Sequence, residues 1–268
     1  MSVTVAIVQA RAGSARLPGK VLKELGGMTV LAQVLRRCLA IEGVDVVCCA
    51  TTEAAEDDAV AREAARLGVE VFRGSADDVL DRYYRAARAL GADVVLRVTA
   101  DCPLIDPRVS AAVLRLRAEA GVDFAANNLP PSWPLGLDCE GFTMVALTRA
   151  AATAKAPHER EHVSPWMQTS PAITRGNLEG PGGKLAQERW TLDYPEDYAF
   201  LKALFEKLGA GAAIPGLAEV AVLIESDLGI EALQQACRRP LEDIPFGRLA
   251  FSAPMEPTRL RRKQLPCA

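Results

Sequence analysis

The stretch Val3-Thr-Val-Ala-Ile-Val8, running straight into Gln9-Ala-Arg-Ala-Gly-Ser-Ala-Arg-Leu-Pro-Gly-Lys20, decides the fold class. Its first six residues are apolar on both faces, as in a strand buried inside a parallel sheet. The twelve that follow hold three cations, Arg11, Arg16 and Lys20, and two glycines, Gly13 and Gly19. In an open α/β sheet, ligands bind outside the carboxyl ends of the strands, where this loop stands.

Outward from that stretch the chain alternates between strand and helix patterns. Val30 to Leu39 has helical spacing through Leu31, Val34, Leu35, Cys38 and Leu39. Val44 to Ala50 reads as a second strand and Val69 to Phe72 as a third. Between them, Asp57 to Leu67 is helical, with Asp57 and Asp58 at the end where the helix dipole favours acids. Asp77 to Leu90 is another helix, Val94 to Val98 a fourth strand, and Pro107 opens a further helix where its missing N–H costs little. Strands alternating with helices of this length predict an α/β fold, with a mainly parallel sheet covered on both faces.

After about residue 124 the rhythm breaks. Pro130, Pro131, Pro134 and Gly136 crowd one stretch; Pro171, Gly176, Gly180, Pro181, Gly182 and Gly183 crowd another. These read as loops or hairpins of an arm or lid inserted in the core. Strand-like Arg189 to Leu192 precedes a helix opened by Pro195. The expected organisation is a main domain over 1–209 with the inserted arm at 127–184. Small additional elements and a solvated basic tail (Arg259, Arg261, Arg262, Lys263) follow over 210–268.

Composition narrows the function classes. The chain has 268 residues, half of them hydrophobic, and a net charge of −3. That is an ordinary globular composition without the basic field that non-specific nucleic-acid binding requires. No apolar run approaches a membrane span, and the opening residues lack the basic segment of a signal peptide. The seven cysteines form no CxxC pair and read as reduced thiols of a cytoplasmic protein rather than as disulfides or a zinc site.

The chemistry concentrates at three strand ends. In the loop after the first strand, glycines let backbone N–H groups approach an anion that the three cations neutralise. The spacing is not a P-loop: five residues separate Gly13 from Gly19, and Val21 stands where a Ser or Thr would face magnesium. Nor is it the G-x-G-x-x-G of dinucleotide folds. Asp101, in Arg97-Val-Thr-Ala-Asp-Cys-Pro103, and Asp193, in Trp190-Thr-Leu-Asp-Tyr-Pro-Glu-Asp197, each follow a strand. Two carboxylates converging beside a phosphate loop suit Mg²⁺, which takes a few carboxylate oxygens plus phosphate and water. Glu196, Asp197, Asp77 and Asp78 read as first-turn helix acids.

Other signals are less pointed. Arg73 and Gly74 end the third strand, suited to a nucleoside. Asp138 and Glu140 alternate in a loop and either bind substrate hydroxyls or are simply exposed. His158 and His162 share a helical face; H-E-R-E-H fits the letters of H-E-x-x-H but interposes opposite charges between the two imidazoles, and His162 is read as a candidate substrate contact rather than a zinc ligand.

Six segments taken together resemble the cytidylyltransferases that activate sugar acids. They are QARAGSARLPGK, VFRGSADDVLDRYY, RVTADCPLIDP, GLDCE, REHVSP and WTLDYPEDY, in that order across roughly residues 3–205. That family includes acylneuraminate and 3-deoxy-manno-octulosonate enzymes, and this chain is most similar to its branch labelled spore-coat polysaccharide biosynthesis proteins. The resemblance implies a Rossmann-like nucleotidyltransferase fold, a homodimer formed through the arm, and Mg²⁺-dependent transfer of CMP from CTP to a sugar-acid hydroxyl. By the same analogy Arg11, Arg16 and Lys20 hold the triphosphate, with Gly13 and Ser14 in the same loop. Gln9, Ala10, Arg73 and Gly74 lie near cytidine, and Asp101 and Asp193 bind magnesium. Asp138, Glu140, Glu161 and His162 fall on sugar-side motifs. Ala100, Cys139 and Ser164 stand where the branch more often has Gly, Val and Thr. The alternatives are a transferase using a sugar phosphate with another nucleotide and, in a different class, a non-catalytic nucleotide-sugar-binding subunit.

Overall fold

The computed structural model describes residues 2–209 and 213–237; the basic cluster Arg259–Lys263 and Cys267 lie outside them. In chain order the elements are β1 (Thr4–Gln9), β2 (Glu24–Leu25), β3 (Met28–Thr29), α1 (Val30–Leu39), β4 (Val46–Thr52), α2 (Asp58–Arg66), β5 (Glu70–Gly74), α3 (Val79–Ala89) and β6 (Val94–Thr99). There follow α4 (Pro107–Ala120), β7 (Phe124–Ala126), β8 (Glu140–Thr143), α5 (Met144–Thr153), α6 (Pro157–His162), α7 (Pro165–Thr169), β9 (Arg175–Asn177), α8 (Pro195–Leu208), α9 (Leu217–Ser226) and α10 (Leu228–Ala236).

The main sheet runs β5-β4-β1-β6-β8-β7-β9. Its first four strands pair in parallel, and β1, at their centre, is fully buried over Val5–Val8. Helices cover both faces, so alternate residues of one strand enter two cores: Ala6 and Val8 pack in one, Val5 and Ile7 in the other. The predicted α/β sheet and its element order through α4 are observed. Pro107 sits in the first turn of α4, where Asp106 caps the helix by accepting from the Arg108 amide at 2.8 Å.

Two later segments differ from the sequence reading. Within the 127–184 span, where an inserted arm or lid is expected, the chain returns to the sheet. There β8 lies antiparallel between β6 and β7, and α5 packs in the core beneath. Arg189 to Leu192 is not a strand; Arg189 makes a single bridge to Leu135. The backbone there is taken up by cross-links to the loop before β8: Leu135 N donates to Glu188 O at 2.9 Å and Trp190 N to Leu135 O at 2.7 Å.

The segment 213–237 is tied to the main body. Asp106, which caps α4, also accepts from the Leu217 amide at 2.7 Å, so one carboxylate caps two helices. A side chain at Gly216 would come within 2.8 Å of that carboxylate, which explains the glycine. Arg37 donates to Ile105 O and Pro215 O, and α9 and α10 pack with α8 around Trp190. The six described cysteines are buried and unpaired. Burial pushes the thiols of Cys38, Cys48 and Cys49 up to about 12, so they stay protonated and pack as small apolar groups.

Candidate active site

A cavity of about 460 Å³ opens at the carboxyl ends of β1 and β6. Every candidate residue named from the sequence lines it except Arg73 and Gly74.

The first wall is the loop after β1. Gln9 ends the strand, and Ala10, Arg11, Gly13, Ser14 and Arg16 border the cavity before the chain turns at Lys20. The loop is held from behind by Asp57, which accepts from the Ala12 amide at 2.6 Å and also from the Thr52 hydroxyl. That carboxylate, read from sequence as a helix-start acid, thus braces the basic loop. Ser14 Oγ accepts from the Leu17 amide at 3.3 Å and the Gly19 amide donates to Ala12 O at 3.1 Å.

The second wall carries the acids. Lys20 Nζ donates to Asp101 Oδ2 at 2.8 Å, to Asp193 Oδ1 at 2.9 Å and to Leu192 O at 2.8 Å. Burial alone would raise the Asp101 carboxyl, but the Lys20 charge and hydrogen bonds from Lys20 and Thr99 outweigh it and hold it below the ordinary carboxylate range. Burial likewise opposes the charge on Lys20, and the two carboxylates overcome it and raise its pKa. Asp193 is 4% exposed and meets two further cations: Arg16 at 2.8 Å on the same oxygen and Arg189 at 2.7 Å on the other. Arg16 also stacks on the Tyr194 ring, 4.8 Å from its centroid. Asp197 fixes this corner, accepting from the amides of Asp193 and Tyr194 and from Arg189.

The remaining wall comes from the second half of the chain. Gly136, with φ 114, lies against the Trp190–Thr191 backbone so closely that a Cβ would meet it at 2.7 Å. Its amide donates to Asp138 Oδ2 at 3.3 Å. Glu140 is wholly engaged in protein contacts: Oε2 accepts from Arg97 at 2.9 Å, and Oε1 from Ser164 and Gln168, both at 2.8 Å. Glu161 and His162 end the short α6, which is tied to α3 because Asp78, the cap of α3, also accepts from Arg160. Burial lowers the His162 pKa below 6.5, against the pull of Glu161. Val163 follows with φ 70 and ψ −56, and the Ser164 amide donates to His162 O at 2.8 Å, a γ-turn that few β-branched residues adopt.

Arg73 and Gly74 are the corrections. The Arg73 guanidinium turns to the β4–α2 connection, bonding Thr52 O, Ala54 O and Asp58 Oδ1 at 2.8, 2.9 and 2.6 Å. Gly74 packs against Phe72 and Arg82. The arginine of that region that lines the cavity is Arg82, only 2% exposed. Sequence reasoning passed over it and Arg97. For Arg97 there was a signal, a charge inside the apolar run Val94–Val98, which a buried strand accepts only with a partner. Among the described residues, four cavity-lining side chains hold a buried polar atom without a partner: Gln9 Oε1, Arg82 Nε, Arg97 Nε and Asn128 Oδ1. Buried polar atoms need partners, and a polar ligand supplies them.

Among the described residues, no group of three or more His, Cys, Asp and Glu forms a ready-made metal cluster. The two acids still fit a divalent cation, because Asp101 Oδ2 and Asp193 Oδ1 converge on one point where the Lys20 ammonium stands in for an ion. A hard divalent ion beside phosphates needs only one or two carboxylates.

A family model described as cytidylyltransferase matches residues 5–222. The chain belongs to the cytidylyltransferase family. The cytidylyltransferase is 32% identical over 209 residues to the spore coat polysaccharide biosynthesis protein SpsF of Bacillus subtilis, covering 76% of this chain and 86% of that one. It is also 32% identical to a 3-deoxy-manno-octulosonate cytidylyltransferase of Anaeromyxobacter dehalogenans, over 65% of this chain and 79% of that one. Among solved structures, a cytidylyltransferase from Leptospira borgpetersenii superposes with a TM-score of 0.80 at 30% identity, over 87% of this chain and 98% of that one. The α/β architecture is thus the nucleotidyltransferase fold that the sequence motifs imply.

Proposed function

We propose that this cytidylyltransferase transfers CMP from CTP to the hydroxyl of a sugar acid, releasing pyrophosphate, in the synthesis of a surface polysaccharide or glycan. The observation that carries the reading is the meeting of Asp101 and Asp193 on one cation, directly beside the glycine-rich basic loop. The relatives named for spore-coat polysaccharide synthesis and 3-deoxy-manno-octulosonate transfer support the substrate class.

In this reading the acceptor oxygen bonds to the α-phosphorus while the bond to the bridging oxygen of pyrophosphate breaks, and the hydroxyl proton leaves to water. Arg11, Arg16 and Lys20, with loop amides around Gly13 and Ser14, hold the triphosphate. Gln9, Ala10 and Arg82 border the nucleoside end. Asp138, Glu161 and His162 line the acceptor side, and Glu140 acts there by holding Arg97. Asp101 and Asp193 would hold Mg²⁺, which when bound polarises the α-phosphate and lowers the pKa of the acceptor hydroxyl. The protein's own contribution is positioning and preorganised charge. The chain acts as a cytoplasmic homodimer; among the described residues no helix is long and apolar enough to cross a membrane.

Thermal unfolding with CTP, UTP, GTP or ATP, each with and without Mg²⁺, tests this without knowledge of the acceptor. A ligand at 100 times its dissociation constant adds about 2.7 kcal/mol. Each kcal/mol moves the midpoint by roughly 2–4 °C at this size. A CTP-selective shift enhanced by Mg²⁺, followed by pyrophosphate release with a sugar acid, is the expected result. A larger shift with another nucleotide overturns the CTP assignment, and no shift with any nucleotide overturns the transferase reading.

A further inference from the structure

An ammonium has three N–H donors, and Lys20 has all three in use: on Asp101 Oδ2, Asp193 Oδ1 and Leu192 O, at 2.8–2.9 Å. In this arrangement nothing remains to bind a phosphate. The two carboxylate oxygens that Lys20 holds are also those that converge as a divalent site. Two cations cannot occupy one point between two acids, since their repulsion at such distances exceeds what either gains.

We propose that Lys20 is a place-holder cation: in the nucleotide-free protein its ammonium takes the metal's position between Asp101 and Asp193. The triphosphate then draws it out, and the divalent ion enters as it leaves. This rests on the reading that Asp101 and Asp193 are the metal ligands. The surroundings suit such an exchange. Lys20 follows the glycine-rich loop, its four-carbon stem is flexible, and that same loop lines the cavity in which the competing anion would bind. Arg189 stays on the other oxygen of Asp193 and keeps that carboxylate aimed while Lys20 moves. Asp101 is likewise held by Thr99 Oγ1 on its second oxygen. Both acids are therefore oriented with or without the lysine. Metal and nucleotide then bind synergistically, each raising the affinity of the other by the same factor.

The test uses Mn²⁺ as the probe and the free-ion paramagnetic resonance signal as the readout, with no turnover involved. Nucleotide-free wild-type protein is expected to bind Mn²⁺ at least about tenfold more weakly than Lys20→Met, a coupling of ordinary size. The gain should vanish when Asp101→Asn is added. Mn²⁺ alone should also raise the unfolding midpoint of Lys20→Met and leave that of the wild type unmoved. Should Lys20→Met not fold, the wild type decides the matter: Mn²⁺ must bind weakly alone and at least about tenfold more tightly once CTP is present, after subtraction of the Mn²⁺ that the same CTP chelates in protein-free solution. Tight Mn²⁺ binding by the nucleotide-free wild type, through a site lost in Asp101→Asn, overturns the place-holder. So does a Lys20→Met protein that binds no better than wild type. Water-proton relaxation of the Mn²⁺–CTP complex separates the two levels. If wild type and Asp101→Asn give the same enhancement, the metal assignment itself fails; if they differ while Lys20→Met gains nothing, only the place-holder fails.

Discussion

The Leu192 amide donates to the carbonyl of Asp101 at 2.8 Å, and the neighbouring Thr191 hydroxyl reaches the same oxygen at 3.1 Å. Two segments far apart in sequence are thereby bonded to each other next to the acids they carry. The separation of Asp101 from Asp193 is set by this contact rather than by either side chain.

Asp193 is the acceptor of three cations, so Asp193→Asn should reduce both activity and stability. Turnover is expected to fall on the order of a hundredfold or more, the scale of losing one preorganised electrostatic contact. Breaking a buried pair by removing one partner costs about 3–5 kcal/mol, and Arg189 and Lys20 are both buried here. Steady-state kinetics and urea unfolding together check this. A variant with wild-type turnover would remove Asp193 from the reaction.

Arg73→Ala should leave the Michaelis constant for CTP within about twofold of wild type, because the guanidinium faces the β4–α2 connection and not the cavity. Its half-exposed ion pair and two carbonyl contacts together make the expected stability loss about 1–2 kcal/mol. Arg82→Ala is the contrasting variant, with nucleotide affinity reduced. Equal kinetic effects from the two would refute the placement.

Glu140→Gln tests whether Glu140 is a support or a substrate contact. Its two oxygens already serve Arg97, Ser164 and Gln168, so the main loss is an unbalanced Arg97 charge, about 3–5 kcal/mol of stability. Addition of Arg97→Met should recover much of that loss, as removal of both members of a buried pair often does. A stable Glu140→Gln protein impaired only in acceptor binding argues for direct contact.

Burial lowers the pKa of His162, with Glu161 opposing, so the folded protein keeps the imidazole neutral. An unfolded chain protonates it near pH 6.5. The folded value being the lower one, stability is full above about pH 6.5 and is lost as the pH falls toward the folded value. Proton NMR of the two imidazoles, assigned with His162→Asn, should give a midpoint below 6.5 for His162. A midpoint at or above 6.5 contradicts the burial argument.

At Val163 two effects compete. A non-glycine residue at φ 70 carries roughly 1–3 kcal/mol of backbone strain. A buried methyl group stabilises by about 0.8 kcal/mol. Val163→Gly should therefore melt at or above the temperature of Val163→Ala, although it has the smaller side chain. The reverse order in calorimetry shows that the turn is not strained.

The sheet through β6 was legible because the central strands β1 and β4 are apolar on both faces and each helix carries its own start signal, as Pro107 and Asp106 do for α4. The loop at Gln9–Lys20 and the acids at Asp101 and Asp193 were legible because dense polar residues at strand ends have few other uses. β8 was not, since Glu140–Thr143 shows no alternation and its place between β6 and β7 is fixed by tertiary pairing. Arg73 was misplaced for the same kind of reason. Its partners, Asp58 and the carbonyls of Thr52 and Ala54, become neighbours only through the parallel register of β4 and β5. Asp57 and Asp197 sit at helix starts as read, yet their burial and second partners depend on segments no local pattern reveals.

The late arrival of β8 in the middle of the sheet sets the order in which a growing chain can become a protein. A ribosome that has released residues 1–126 has delivered the basic loop and Asp101. The Val94–Arg97 edge of β6 still has no neighbour, and Arg97 lacks its ion-pair partner Glu140. An open apolar strand edge is a template for pairing with other chains. The fragment is thus a hazard rather than half an enzyme, and synthesis past Thr143 is the point at which the nascent chain can seal its own sheet.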